Sequence, residues 1–197
     1  MANFFFKERA DMRKLMTMIA AVACLTLWAG STVRADDDRL VVVQDESSME
    51  RVIEANLKEK HQLTVNEKFA KPDDLYLDLP MKGDAVSGMP AFRIMIDTQP
   101  SNNNDNGQVM ERGVLIQLFT GIKVPADKWE PVMRVINNFN RGKIFSSTYI
   151  DQDTEIVLNW QLNVLAEGLP TENVYDCVAR EDKLWRELYP DVMAALK

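Results

Sequence analysis

The segment 124–165 constrains the fold most strongly, because three changes of pattern follow one another there without a long linker. An apolar stripe at helical spacing runs to Phe139, and Gly142 follows it, which predicts a helix that ends at that glycine. Two runs of alternating apolar residues come next, 144–150 and 154–165, separated by a short acidic turn. Strands this close together can pair only as an antiparallel hairpin. The segment therefore predicts a helix packed on antiparallel strands.

The same two patterns recur along the rest of the chain. Helices are predicted to begin at Ser47, near Asp127 and at Thr171, each of which can cap a helix with its side-chain oxygen. Pro190 is expected to kink or restart the last helix. Strands are predicted around the alternating or apolar runs 63–66, 75–79, 91–98, 111–122, 144–150 and 154–165. Because they follow each other as hairpins, we expect an α+β domain with an antiparallel sheet of about five strands and three helices packed on it.

Two of these segments leave alternatives open. The run 111–122 is apolar on both faces, which suits a central strand covered on both sides or a contact between two copies of the chain. The run 99–107 is rich in asparagine and has little that could be buried, so we expect a solvated hairpin loop, with a binding loop as the alternative.

The first 35 residues have the order of a secretory signal. A basic start is followed by the apolar run 15–30 and then by small residues around Ala35, after which cleavage is predicted. An uncleaved anchor or a buried helix are the alternatives. Ala23-Cys24 also resembles a lipoprotein site, but the apolar run continues past Cys24. We expect a periplasmic or secreted protein with a signal at 1–35, a linker at 36–46 and one domain at 47–197; the apolar run that starts at Leu40 could instead be a strand.

Charge narrows the class of partner. The chain carries a net charge of −7, and residues 1–35 hold five basic and two acidic groups, so the remainder carries −10. Nucleic acid and anionic lipid repel such a surface. We therefore expect a protein partner, no nucleic acid and no membrane after signal cleavage, with a homodimer left open. Once Cys24 is removed, Cys177 has no cysteine to pair with inside the chain; we expect a buried thiol, with an intermolecular disulfide as the alternative.

The sequence contains few sets of residues that could form a catalytic or metal site. His61 is the single histidine, and it follows a charged helix, so we expect it to be solvated and not catalytic. One histidine and one mature cysteine are too few for a usual zinc site. Asp151, Asp153 and Glu155 alternate in the acidic turn and form a weak calcium candidate, with a solvated turn as the favoured interpretation. We expect no enzyme activity and no cofactor.

The stretch Ile136–Lys143, followed by the two runs of the hairpin and by the helix from Thr171, resembles the YbjN family of bacterial proteins, described as sensory transduction regulators. The resemblance spans about 47–188 and is most specific from Gly113 onward. It implies a fold like that of type III secretion chaperones, which often dimerise and bind proteins, and it supplies no catalytic residues. The export signal and the asparagine-rich run depart from the usual pattern of the family.

Asn137 and Asn140 match the asparagine positions of that family, next to Gly142. From the residues alone, we expect these side chains to satisfy the end of the helix or the backbone of the adjoining strand, with a ligand contact as the alternative. The hypothesis for the whole chain is an exported, non-catalytic domain that acts through protein contacts, in a regulatory or chaperone-like role. The alternative is a sensor of a small ligand or cation, with a groove between a helix and the sheet as its site.

Overall fold

Three helices lie on one face of an antiparallel sheet in the part of the chain that the structure describes. The computed structural model describes residues 39–42, 44–72, 74–103, 106–107, 109–143 and 146–197. The predicted signal 1–35 and its cleavage at Ala35 lie outside these residues. None of the helices in the described ranges has the length and apolar character of a membrane-spanning segment.

The elements follow the order that the sequence predicts. In chain order they are β1 (Arg39–Leu40), α1 (Glu46–Glu59), β2 (Asn66–Lys71), β3 (Asp74–Met81), β4 (Phe92–Asn103), β5 (Val109–Lys123), a 3₁₀ turn (Ala126–Lys128), α2 (Trp129–Arg141), β6 (Ser146–Ile150), β7 (Glu155–Val164), β8 (Leu169–Pro170) and α3 (Thr171–Leu196).

The predicted α+β class with an antiparallel sheet is confirmed. Within the described residues, the main sheet has six strands in the order β2-β3-β4-β5-β7-β6, and each neighbouring pair is antiparallel. β1 and β8 form a separate two-stranded sheet. The expected number of about five strands is too low for the main sheet. The sequence placed a short strand at 63–66, but β2 lies just after it, and its side chains are all exposed, so no apolar alternation marks it.

The core lies between the sheet and the helices. One row of paired residues crosses the sheet on the helix side: Leu77, Ile96, Ile116, Trp160 and Ser146. Helix α1 packs on β3 and β4, α2 packs on β6, and α3 packs on β5, β7 and the other two helices. Alternation along each strand therefore places one set of apolar side chains under the helices.

The opposite face of the sheet is a half-buried, hydrogen-bonded surface. The guanidinium of Arg93 lies 4.8 Å from the centre of the Phe119 ring. The side-chain amide of Gln117 donates to the hydroxyl of Tyr149 at 3.1 Å. β5 is central, between β4 and β7, but none of the described helices packs on its second face. Antiparallel sheets commonly leave one face to solvent in this way.

The helix starts differ from the predicted caps. The N-cap of α1 is Asp45, whose carboxylate accepts from the Ser48 backbone N–H at 2.9 Å, so the predicted cap at Ser47 is wrong. Glu50, which at three residues after Ser47 could have completed such a cap, is buried under the sheet. Asp127 lies in the 3₁₀ turn before α2, and Thr171 is a buried first residue of α3. No side-chain cap bond opens either of these two helices.

Helix α3 continues through Pro190 to Leu196, so the predicted restart is wrong. Proline removes one backbone hydrogen bond from a helix interior. Here Tyr189 and Val192 are buried on either side of it, and Pro190 itself is exposed. Because packing of an apolar face supplies most of the stability of a helix, these contacts hold the turn together.

The asparagine-rich run is also more regular than expected. Gln99–Asn103 belong to β4, and they pair with the start of β5 in a register with two irregularities. The predicted loop is therefore confined to the few residues between the two strands. Backbone pairing needs no apolar side chains, so composition alone could not show that the strands extend this far.

Arg39 and Leu40, within the segment 36–46, form the strand β1. Leu40 is fully buried in the core, and β1 pairs with β8. These two residues therefore pack with the domain. Gly168 makes this closure possible. Its φ is +78°, and a Cβ there would lie 2.8 Å from the Leu40 carbonyl oxygen, a distance that a larger residue could not accommodate.

Candidate binding groove

A groove of about 520 Å³ lies where the end of α2 meets the edge of the sheet and the middle of α3. We call it the basic groove, and its lining residues are Gly142, Lys143, Ser146, Trp160, Arg180, Lys183, Leu184 and Glu187. Its floor is the cross-strand pair Ser146 and Trp160, which stand opposite each other on β6 and β7 and are each 9% exposed. Its long wall is one face of α3, since 180, 183, 184 and 187 are three or four residues apart.

Three cationic side chains and one carboxylate line the basic groove. Lys143 Nζ lies 3.1 Å from Glu187 Oε2, and Lys183 Nζ lies 4.0 Å from Glu187 Oε1. The Arg180 guanidinium lies 5.9 Å from the centre of the Trp160 ring, a cation–π arrangement. The groove is therefore locally positive on a chain whose net charge is −7.

A buried carboxyl supports the floor of the groove. Glu181 is fully buried, and its Oε1 accepts from the Ser146 hydroxyl at 3.0 Å. Its other oxygen has no hydrogen-bond partner among the described residues. Burial raises the pKa of Glu181 to about 7, and the Ser146 hydrogen bond opposes that rise. Ser146 is thus held by a carboxyl that keeps its proton to a higher pH than an exposed glutamate does.

Asn140 fixes the edge strand beside the groove. Its side-chain amide donates to the Thr148 carbonyl oxygen at 2.8 Å, and its side-chain oxygen accepts from the Thr148 backbone N–H at 3.0 Å. β6 is an edge strand, so this side chain takes the place of a further strand at that point. The structure gives Asn140 the contact with the adjoining strand that the residues suggested. Asn137 is exposed on α2, and Gly142 ends that helix with φ −94°.

Replacing Asn140 with alanine should lower the free energy of unfolding by roughly 1–3 kcal/mol, because both bonds to Thr148 are lost at once. Urea denaturation followed by circular dichroism would measure the change. Asn137→Ala is the matched control, and an exposed site of this kind should change stability by less than about 0.5 kcal/mol. Equal losses in the two variants would show that the contact with β6 contributes nothing.

The acidic turn does not gather its carboxylates. Asp151 Oδ1 accepts from the Glu155 backbone N–H at 2.8 Å, while Glu155 Oε1 accepts from the Gly121 backbone N–H at 2.7 Å. Lys123 Nζ donates to the Asp153 carbonyl oxygen at 3.0 Å. Among the described residues, no group of three or more histidine, cysteine or acidic side chains is placed to hold a metal ion. These bonds tie the turn to β5 and use the side chains for structure.

His61 and Cys177, the two other candidate reactive residues, also make structural contacts. We expected His61 to be solvated, but its ring is held by two neighbouring side chains. Its ring stacks on Tyr175 with the centres 3.4 Å apart, and its Nε2 lies 3.1 Å from Glu172 Oε2. Cys177 is buried and has no disulfide partner among the described residues, and burial raises the pKa of its thiol to about 11. A thiol that stays protonated at neutral pH is a poor nucleophile.

The basic groove itself was not predicted. The notable signal was the face 180, 183, 184 and 187, which combines two cations with an apolar residue and an acid. On the sequence alone, that pattern is equally typical of an ordinary solvated helix face. Only the approach of Lys143 and Trp160 from distant parts of the chain turns it into a groove.

Comparison with known proteins places the groove largely inside one matched segment. Residues 108–180 match the model of the YbjN family, described as "Putative bacterial sensory transduction regulator", and the resemblance found in the sequence is confirmed over these residues. A similar solved structure is "Crystal structure of YbjN, a putative transcription regulator from E. coli", at 14% identity and a TM-score of 0.41, covering 80% of this chain and 92% of that chain. No curated protein matched the sequence.

Proposed function

We propose that the protein, whose residues 108–180 match the YbjN family model, is an exported, non-catalytic regulator that works by binding another protein. The observation that carries this proposal is the basic groove, an open site built on the matched segment and lined by cations, an aromatic ring and Leu184. Arginine and tryptophan are enriched at the centres of protein interfaces. A surface of this composition suits recognition.

The side chains of the groove are arranged for contact and not for bond-making. Ser146 donates its hydroxyl proton to a buried carboxyl, and the single histidine of the sequence is bonded to Glu172. Lys143 and Lys183 share one carboxylate. Glu181 is fully buried and Ser146 is 9% exposed, so a substrate has little access to this pair.

Export is supported by the order of the first residues and by the start of the domain. Cleavage after Ala35 would leave only three residues before β1, so the release point suits the fold. Intact-mass measurement of the protein purified from cell fractions should find a chain that begins at Asp36 in the periplasmic fraction. A full-length chain in the cytoplasmic or membrane fraction would contradict the proposal.

Protein recognition is tested by capture with a charge-reversed groove. The parent, used as bait in periplasmic extract, should retain a specific partner that Arg180→Glu/Lys183→Glu loses. The control Arg51→Glu/Lys68→Glu makes the same charge change at exposed residues outside the groove and should retain that partner. If the parent and the control retain no protein in common, that result would contradict a protein-binding role.

A small-ligand sensor is the second candidate, favoured by the size of the groove. Its volume of about 520 Å³ falls within the range typical of small-molecule sites, roughly 300–1,000 Å³. Its positive lining disfavours a cation, so the ligand would be anionic or neutral. A thermal-shift screen of metabolites should then show stabilisation at ligand excess that Arg180→Glu removes. Flat curves throughout would remove this candidate.

A further inference from the structure

Resting on the proposed function, we propose that the basic groove receives an acidic, extended segment of the partner protein, and that Glu187 occupies the cations of the groove until that segment displaces it. The inference begins from a reversal of charge. The chain as a whole is strongly acidic, yet this groove is lined by Lys143, Arg180 and Lys183 and by a single carboxylate. An acidic segment is therefore attracted to this one place and repelled by most of the remaining surface.

Glu187 is placed as an internal competitor for those cations. Its carboxylate lies between Lys143 at 3.1 Å and Lys183 at 4.0 Å. Its side chain is 45% exposed and that of Lys183 is 78% exposed, so both can move into solvent without disturbing the core. Exposed ion pairs of this kind contribute little to stability. An incoming carboxylate can therefore replace Glu187 at small energetic cost.

The surroundings favour an extended segment over a compact anion. The nearest backbone is the C-terminal end of α2, where the N–H groups of Gly142 and Lys143 are bonded to Phe139 and Asn140 carbonyl oxygens at 3.1 Å. This end of a helix carries partial negative charge, and its carbonyls repel an anion held close to it. Among the described residues of this helix end, these two N–H groups are already bonded and so are not free to hold a small anion. A peptide can instead set carboxylates on the lysine and arginine tips.

The floor of the groove also favours an apolar side chain in the bound segment. Trp160 is 9% exposed at the base of the groove, and Leu184 lines its wall. In an extended segment, successive side chains point to opposite sides, so acidic and apolar residues at alternate positions would reach the cations and the floor in turn. The favoured sequence is therefore a mixture of acidic and apolar residues, and not a purely acidic run.

The test is the binding of a fluorescein-labelled short peptide that alternates glutamate with leucine, followed by anisotropy. It should bind at low salt and weaken as salt is added, while the version with glutamine in place of glutamate should bind at least about tenfold more weakly. Arg180→Glu/Lys183→Glu should lose at least about tenfold in affinity. Arg51→Glu/Lys68→Glu should stay within about twofold of the parent.

Glu187→Gln tests the competition, and Glu130→Gln makes the same charge change at an exposed residue outside the groove and should stay within about twofold of the parent affinity. If Glu187 competes with the ligand, its neutral variant should bind the glutamate peptide several-fold more tightly, with an unchanged circular dichroism spectrum. Unchanged or weaker binding by this variant would overturn the inference. So would equal binding of the two peptides, or binding of inorganic phosphate or citrate to the groove without binding of the peptide.

Two other outcomes identify a different occupant. A dimer that forms with concentration by light scattering, and that Arg180→Glu/Lys183→Glu abolishes, would assign the groove to a second copy and overturn the inference. A partner captured from extract equally by the parent and by that variant would also overturn it, while leaving the proposed protein-binding function intact. The two proposals therefore fail on different measurements.

Discussion

Raising the pH from about 5 to about 8.5 should lower the thermal unfolding temperature, and replacing both Glu50 and Glu181 with glutamine should remove most of that fall. Both carboxyls are fully buried. Glu50 accepts from the backbone N–H and the hydroxyl of Thr98, at 3.0 and 3.1 Å, and Glu181 accepts from Ser146. One oxygen of each has no hydrogen-bond partner among the described residues.

The sign follows from the protonation of the two states. Burial raises the pKa of each carboxyl from 4.5 to about 7, with Asp97 and Glu46 adding to the rise at Glu50. Between about pH 4.5 and pH 7, the two carboxyls keep their protons in the folded chain and release them in the unfolded chain. The stability contributed by the raised pKa is therefore complete below about 4.5 and is lost as the pH rises through about 7. A shift of this size corresponds to roughly 3 kcal/mol for each group.

Calorimetry of the parent and of the double variant across this pH range would measure the effect. The double variant should be more stable than the parent at alkaline pH and similar to it or less stable at acid pH. Glu130→Gln is the control, since that side chain is 85% exposed and should leave the profile unchanged. Parallel profiles for the parent and the double variant would show that neither buried carboxyl changes its protonation on folding.

Trp185→Ala should lower the free energy of unfolding by about 3–5 kcal/mol, because it empties the largest fully buried side-chain site of the core. The indole packs edge-on against Tyr189, with ring centres 5.5 Å apart. Tyr189 in turn donates its hydroxyl to the Gly88 carbonyl oxygen at 2.8 Å. The substitution therefore loosens both the core and the attachment of the 83–90 loop to α3.

Trp185→Phe tests whether volume alone explains that loss. The indole N–H has no hydrogen-bond partner among the described residues, so phenylalanine should cost only the missing ring volume, about 1–2 kcal/mol. Trp129→Ala is the control at a tryptophan that is 40% exposed, where we expect less than about 1 kcal/mol. Chemical denaturation curves for the three variants would show the order. A loss at Trp129 equal to that at Trp185 would contradict the assignment of the core.

The fold class was predictable because it depends on local periodicity. Alternation in 154–165 and the helical stripe before Gly142 are each set by which face of an element is buried, and that requirement acts on neighbouring residues. The helix starts were less predictable. Ser47 and Asp45 are both good caps, and the choice between them was settled by Glu50, which α1 turns toward Thr98 in the core. A buried carboxyl cannot be told from a capping one by spacing alone.

The groove depends on contacts between distant residues, and no local pattern contains those. Lys143, Trp160 and Arg180 meet because β6 pairs with β7 and α3 packs on both α2 and β7. Asn140 was predictable in kind, since asparagine at a helix end seeks backbone groups. Its specific partner, Thr148, follows only from the edge position of β6.

The pairing of β1 with β8 also sets the order in which the protein can fold. Arg39 donates to the Glu167 carbonyl oxygen across 128 positions of the chain, and Leu40 stays unburied until that partner is in place. Because synthesis starts at the amino terminus, the core cannot be completed until β8, just before the last helix, has been made. Contacts this distant in sequence slow folding. We expect a nascent chain that stays loose until late in synthesis, a state compatible with threading through a narrow channel.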